Sequence, residues 1–223
     1  MLKIENISKV YNDSNESICV FNDVCLNVNK GSIVSIMGNS GSGKTTLLNI
    51  IGGLVKPDIG KICLNNSIYK YENYFSKFRS KSFGYIFQNH NLLPEFTVKE
   101  NLLLPTLISD KNNGSIKKID YYLELLNLTS YKNKYPVNMS KGECQRISII
   151  RALMNEPKLI IADEPTANLD ENNVKIILNL FIKLNKELNC TFIIATHDKK
   201  FIDLSNETYY IDNFKLKLLK NNE

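Results

Sequence analysis

Residues Gly38-Asn39-Ser40-Gly41-Ser42-Gly43-Lys44-Thr45 follow the spacing G-x-x-x-x-G-K-[ST]. Glycines at these positions let the backbone turn tightly, so that successive N–H groups point at one anion and the helix that follows adds its positive end. In such a loop Lys44 places its ammonium on the β- and γ-phosphates of a nucleoside triphosphate, and the Thr45 hydroxyl enters the shell of a Mg²⁺ ion. Thr46 continues the loop into the helix. A second candidate is Asp163-Glu164, which closes the apolar run Leu159-Ile160-Ile161-Ala162. Ligands of open α/β sheets gather at the carboxyl ends of strands, so both carboxylates are placed to reach the same nucleotide. Asp163 would bind Mg²⁺ through water, and Glu164 would accept a proton from an attacking water or orient it.

These groups need strands that end in loops and helices that begin there. Ile33–Met37 is a short apolar run suited to a buried strand, and a helical pattern follows from Lys44 through Leu47, Leu48, Ile50 and Ile51. Ile4, Ile7 and Val10, then Ile18–Val28, predict two earlier strands, and Pro57–Gly60 predicts a turn into a strand over Lys61–Leu64. Phe83–Phe87, Leu159–Ala162, Thr191–Ala195 and Tyr209–Ile211 are further strand candidates. The helical period dominates from Thr97 to Asn155 and returns over Val174–Leu188. Strands alternating with helices predict an α/β phosphate-loop NTPase fold. Its core sheet is mostly parallel, an N-terminal antiparallel β layer lies beside it, and a helical subdomain is inserted. The expected organisation is a single domain over 1–223: core and β lobe from about 1–88 and 156–223, with the insertion over about 89–155.

Composition narrows the class. The chain has 223 residues, 43% hydrophobic and 23% charged, the balance of a globular protein and not of a disordered one. It holds no run of 18 apolar residues, and its first residues lack the apolar core of a secretory signal, so the expected location is the cytoplasm. Five scattered cysteines without a C-x-x-C pair argue against a disulfide framework or a zinc site. The net charge of +5 is carried mostly by lysines spread along the chain, which suits a solvated surface, an anionic ligand or an anionic membrane face and does not specify nucleic acid.

A third motif separates this chain from other phosphate-loop proteins. Met139-Ser140-Lys141-Gly142-Glu143-Cys144-Gln145-Arg146 resembles the LSGGQ signature of ATP-binding cassette ATPases, with its following Gln-Arg pair. Tyr11, Gln88, Asp163-Glu164, Asn168-Leu169-Asp170 and Thr196-His197-Asp198 match further motifs of that family in the family's order, across essentially the whole chain. The resemblance implies ATP as the nucleotide, Tyr11 stacking on the adenine, and Gln88 reaching Mg²⁺ and the lytic water. It also implies that His197 bonds the γ-phosphate and steadies Glu164. Ser140 and Gly142 are then expected to face ATP held by a second copy, because a helix N-terminus with a serine hydroxyl suits a phosphate. Ser140 and Glu143 also read as a capping box, which would start the helix without any ligand; the two readings are compatible.

The signature departs from the pattern at Met139 for Leu, Lys141 for Gly and Glu143 for Gln. Leu47–Leu54, Phe87–Pro94, Thr97–Asn101 and Asp163–Asp170 look like the branch of lipoprotein-release, macrolide-export and antimicrobial-peptide-resistance transporters. That branch implies an ATPase subunit, peripheral on the inner face of the membrane, paired with a second copy of itself and driving a separately encoded permease, with no nucleic acid partner. The alternative within the family is a soluble cassette acting on nucleic acid or the cell-division machinery. Outside the family, a nucleotide kinase is disfavoured by the Ser140–Arg146 and His197 motifs, and a GTPase lacks a well-placed N-K-x-D box.

Overall fold

The computed structural model describes residues 1–12, 17–69, 71, 75–109 and 115–221. The first half runs β1 (Leu2–Asn12), β2 (Ser17–Val28), β3 (Ile33–Met37), α1 (Lys44–Ile51), β4 (Ile59–Leu64), β5 (Ser67–Ile68), α2 (Phe75–Ser82) and β6 (Phe83–Ile86). The helices α3 (Val98–Ile108), α4 (Ser115–Leu125) and α5 (Lys141–Leu153) follow, with one-turn 3₁₀ segments at Thr129–Tyr131 and Pro136–Asn138. The chain then continues through β7 (Leu159–Asp163), α6 (Glu171–Leu188), β8 (Phe192–Ala195), α7 (Lys200–Leu204), β9 (Glu207–Asp212) and β10 (Lys215–Asn221).

Two sheets result. The β-branched N-terminal strands form an antiparallel sheet in the order β2-β1-β4-β5, and the short apolar runs form a second in the order β10-β9-β3-β8-β7-β6. In the second sheet every pairing is parallel except that of β9 with β10. Period-two alternation assigns its two faces. Val34, Ile36, Leu159, Ile161, Ile193 and Ala195 share a core with α1 and the antiparallel sheet. Ile33, Ile160, Ala162, Phe192 and Ile194 face the other way, into a core built with α3, α4, α5 and α6. The helix that opens with Lys44 is therefore clamped between two sheets, and the parallel strands direct their carboxyl ends to one side.

Four elements were not predicted from the sequence: β5, α2, α7 and β10. Strand β4 also begins earlier than expected, so the turn is confined to Pro57-Asp58 and Gly60 belongs to the strand. Gly60 has φ +92°, and a Cβ there would lie 2.5 Å from the carbonyl oxygens of Glu5 and Asn6. The close approach coincides with a register shift between β1 and β4, a glycine's usual use beside a bulge.

Candidate functional site

The loop from β3 into α1 closes on itself around its own side chains. Ser42 donates its backbone N–H to the Asn39 carbonyl at 3.1 Å. Lys44 is 9% exposed, and its ammonium donates to the carbonyls of Gly38 at 2.8 Å and Asn39 at 3.1 Å. Gly43, at φ +97°, precedes α1, and a Cβ there would meet the Phe21 ring at 2.8 Å. The loop thus rests directly on β2, which only a glycine permits.

Strands β7 and β8 end beside this loop because β8 pairs in parallel with β3 and β7 in parallel with β8. Thr45 donates its hydroxyl to Asp163 Oδ2 at 2.7 Å across 118 residues of chain. Among the described residues, buried Asp163 Oδ1 has no hydrogen-bond partner. Burial pushes the Asp163 carboxyl above its ordinary range; the Thr45 hydroxyl and the Lys44 charge pull it down, and neighbouring Glu164 pushes it up. Glu164 adopts φ +45°, a left-handed conformation that costs a non-glycine residue about 1 kcal/mol or more. Its N–H is fixed on the Ala195 carbonyl at 2.8 Å. One Glu164 oxygen lies 3.7 Å from Lys44 Nζ; the other is 2.9 Å from His197 Nδ1 and accepts from the His197 backbone N–H at 3.3 Å.

Gly38, Asn39, Ser40, Gly41, Gly43, Lys44, Thr45, Thr46, Gln88, Asp163, Glu164 and His197 line one cleft of about 690 Å³. Ser42 belongs to the loop, but its side chain turns inward against Gly38. Tyr11 is 43% exposed on β1 and outside the cleft lining; the Lys9 ammonium sits 5.1 Å from its ring centroid. Ser140 and Gly142 are not in this cleft either. Ser140 is the exposed N-cap of α5, with the expected capping box to Glu143. Gly142 is buried against α6, where a Cβ would fall 2.1 Å from Asn173 Oδ1. Asn173 in turn bonds Asp170 and accepts from Arg146.

Several positioning residues escaped the sequence reading. Helix α5 grips the segment that carries Gln88: Gln145 donates to the Phe87 carbonyl at 3.1 Å, and Arg151 donates to the carbonyls of His90 and Asn91. Buried Asn101 donates its amide to Leu93, Phe96 and Thr97 carbonyls and accepts from the Leu93 N–H. A lone amide or guanidinium in a helix carries no local mark of such long-range bonds. The Gln-Arg pair after the signature was visible, but its purpose was not.

A phosphate loop, an acidic strand end and a capped helix N-terminus displayed on the same α/β core define a class, the ATP-binding cassette ATPases. Residues 21–167 match the family described as "ABC transporter", and the chain belongs to that family. It is 42% identical over 216 residues to the "Lipoprotein-releasing system ATP-binding protein LolD" of Buchnera aphidicola subsp. Acyrthosiphon pisum, covering 96% of this chain and 95% of the relative. It is 39% identical over 225 residues to the protein of the same name from Francisella tularensis subsp. holarctica, covering 99% of this chain and 97% of the relative. Among solved structures it superposes at TM-score 0.90 and 34% identity, over 100% of this chain and 99% of the other, on the dimeric ATP-binding cassette MJ0796 in a post-hydrolysis state bound to ADP and Pi. The chain is thus an ATP-binding and ATP-hydrolysing subunit of a transporter. Among the described residues no helix is long and apolar enough to cross a membrane.

Proposed function

We propose that two copies of this chain close around two ATP·Mg²⁺ and drive a separately encoded membrane permease that releases lipoproteins. The observation that carries the reading is the single cleft that collects the phosphate loop, Gln88, Asp163, Glu164 and His197. The cargo rests on the name borne by relatives about 40% identical over nearly the whole chain. The proposed unit is one cassette over 1–223 with a helical insertion at 89–155, acting as a peripheral subunit on the inner membrane face, with no nucleic acid partner.

The geometry supports the roles of the cleft residues, and that of Tyr11 rests on the resemblance. Lys44, now on two carbonyls of its own loop, would turn to the β- and γ-phosphates while the loop N–H groups hold the remaining oxygens. The residues suit a hard cation: Asp163 Oδ1 is buried and has no partner among the described residues, and the carboxylate's other oxygen already accepts from the Thr45 hydroxyl. Thr45, Asp163 and Gln88 would hold Mg²⁺, which neutralises charge on the transferring phosphoryl group. Glu164 faces the cleft with one oxygen steadied by His197, so its carboxylate accepts the proton of the attacking water or orients it. His197, with Nδ1 at 2.9 Å from Glu164, would also bond the γ-phosphate. Tyr11 would stack on the adenine through the ring face opposite Lys9.

Ser140 and Gly142 complete the second copy's site. Ser140 is exposed on the protomer surface and available to an opposing molecule. Such pairing is isologous, with each copy giving and receiving the same contacts. Phe87 and Ile108, both exposed beside the Gln88 segment, are proposed to receive the permease. The test is Glu164→Gln with ATP and Mg²⁺. The variant is expected to pair stably and to lose turnover by about 10²–10⁴-fold, the worth of a positioned general base. A monomeric variant with full activity refutes the reading.

A further inference from the structure

A carboxylate in the first turn of α5 suits a free helix, because it faces the positive end of the dipole. It is out of place at a surface that must meet a triphosphate, where like charges repel. Glu143 occupies that position, three residues from Ser140. The structure accounts for both of its oxygens. Oε2 accepts from the Ser140 backbone N–H at 2.8 Å, and Oε1 accepts from the Tyr131 hydroxyl. The Ser140 hydroxyl accepts from the Glu143 N–H at 3.3 Å. The bond from Tyr131, the Ser140 cap and nearby Arg146 keep Glu143 ionised, below the ordinary carboxylate range, so its charge must be accommodated and not titrated away.

Tyr131 lies outside α5, on a segment that is itself fastened. The Lys134 ammonium sits 4.2 Å from the centre of its ring. Val98 donates to the Lys134 carbonyl at 2.8 Å, and Lys99 donates to the Lys132 carbonyl at 2.9 Å, so the first turn of α3 holds the segment from below. An ion pair between Lys132 and Asp120 ties it to α4. The orientation of Glu143 is therefore set by a neighbouring element and not by the helix alone.

We infer that Tyr131 is a positioning residue: it holds the Glu143 carboxylate back against its own protomer, so that the exposed Ser140 hydroxyl and the end of α5 stay open to the triphosphate bound by a second copy. The inference rests on the dimeric reading above and adds to it the device by which this chain carries a charged residue in its signature. Released from Tyr131, the carboxylate would keep only its bond from the Ser140 N–H, and its other oxygen could swing toward the incoming phosphates.

The experiment measures the ATP concentration that half-dimerises the Glu164→Gln protein in Mg²⁺, by sedimentation. Adding Tyr131→Phe is expected to raise that concentration about tenfold, the scale of one hydrogen bond to a charged group. Adding Glu143→Gln as well removes the charge that Tyr131 restrains. The triple variant should then fall within about twofold of Glu164→Gln/Glu143→Gln, since the coupling of the pair has vanished. ATP binding to the separate subunit, read with a fluorescent analogue, should not change, because Tyr131 does not line the cleft of its own protomer. The inference is overturned if Tyr131→Phe has no effect, if it costs the same in the Glu143→Gln background as with Glu143 in place, or if it weakens binding to the separate subunit. Failure of Glu164→Gln itself to pair falls on the dimeric reading, and the inference falls with it.

Discussion

The far end of the phosphate-loop helix offers a quantitative test of how the site is supported. Helix α1 ends at Ile51, and its last carbonyls have no partners within the helix. Backbone N–H groups of Gly52, Gly53, Leu54 and Val55 take those of Leu48, Asn49 and Ile50, and side chains from the aromatic wall around α2 and β6 take the carbonyls of Ile51 and of the two glycines that follow it. Tyr69 donates to the Ile51 carbonyl at 2.8 Å, Tyr85 to Gly52 at 2.5 Å, and Arg79 to Gly53 at 3.2 Å. The Tyr85 ring also stacks on Phe87, 5.9 Å between centroids and 8° between planes, directly before Gln88. Tyr85→Phe keeps the ring and the stack and removes one donor, leaving the buried Gly52 carbonyl unsatisfied. That omission costs about 1–2 kcal/mol, toward the lower part of the usual range because Tyr85 is only partly buried and water can approach. With an unfolding entropy of about 2.1 cal/mol/K per residue, the melting temperature should fall by about 2–4 °C. Tyr85→Ala also deletes the ring, and should cost about 3–5 kcal/mol. Urea titration and thermal melting of the three proteins provide the measurement. A Tyr85→Phe protein within about 0.3 kcal/mol of the parent would show that the carbonyl is not held by this hydroxyl, and the argument for the aromatic wall as the anchor of α1 would fail.

Three further outcomes follow from the same geometry. Asp163→Asn keeps an acceptor for Thr45 but removes the charge beside it; Mg²⁺ dependence of ATPase should shift to at least about tenfold higher concentration, and an unchanged Mg²⁺ titration would remove Asp163 from the cation site. Lys141 is exposed at the start of α5, so Lys141→Gly should change the ATPase rate less than about tenfold; complete loss or a hundredfold gain would contradict this. Burial raises the thiols of Cys144 and Cys190 to about 11 and the hydroxyls of Tyr71 and Tyr122 to about 12, and pushes Tyr69 and Tyr85 up as well. Groups raised in the folded state contribute stability fully below their unfolded values, about 8.5 for Cys and 10 for Tyr, and lose it as pH rises toward the folded ones. The urea midpoint should therefore decline steadily above about pH 8.5, and a flat profile to pH 11 would refute the assignment.

The sequence by itself determined what is local. Gly38–Thr45 is one unbroken stretch, and its meaning depends only on backbone freedom, a lysine and a hydroxyl at fixed offsets. Apolar runs bounded by turn residues marked β3, β6, β7 and β8 for the same reason, and Ser140 with Glu143 announced the start of α5. Short or half-exposed elements gave no such mark. Helix α2 (FSKFRSKS) has few apolar residues to set a period, and β10 alternates lysine and leucine on a sheet edge that is largely solvent-exposed.

Only the tertiary structure decided which loop ends meet. The order β3-β8-β7-β6 brings His197 and Glu164 to the phosphate loop, and no spacing along the chain encodes that order. The Thr45–Asp163 bond, the hold of α5 on the Gln88 segment and the tie from Tyr131 to Glu143 all join residues from different elements. A side chain's type states what it can bond, whereas its partner depends on how the sheets and helices pack.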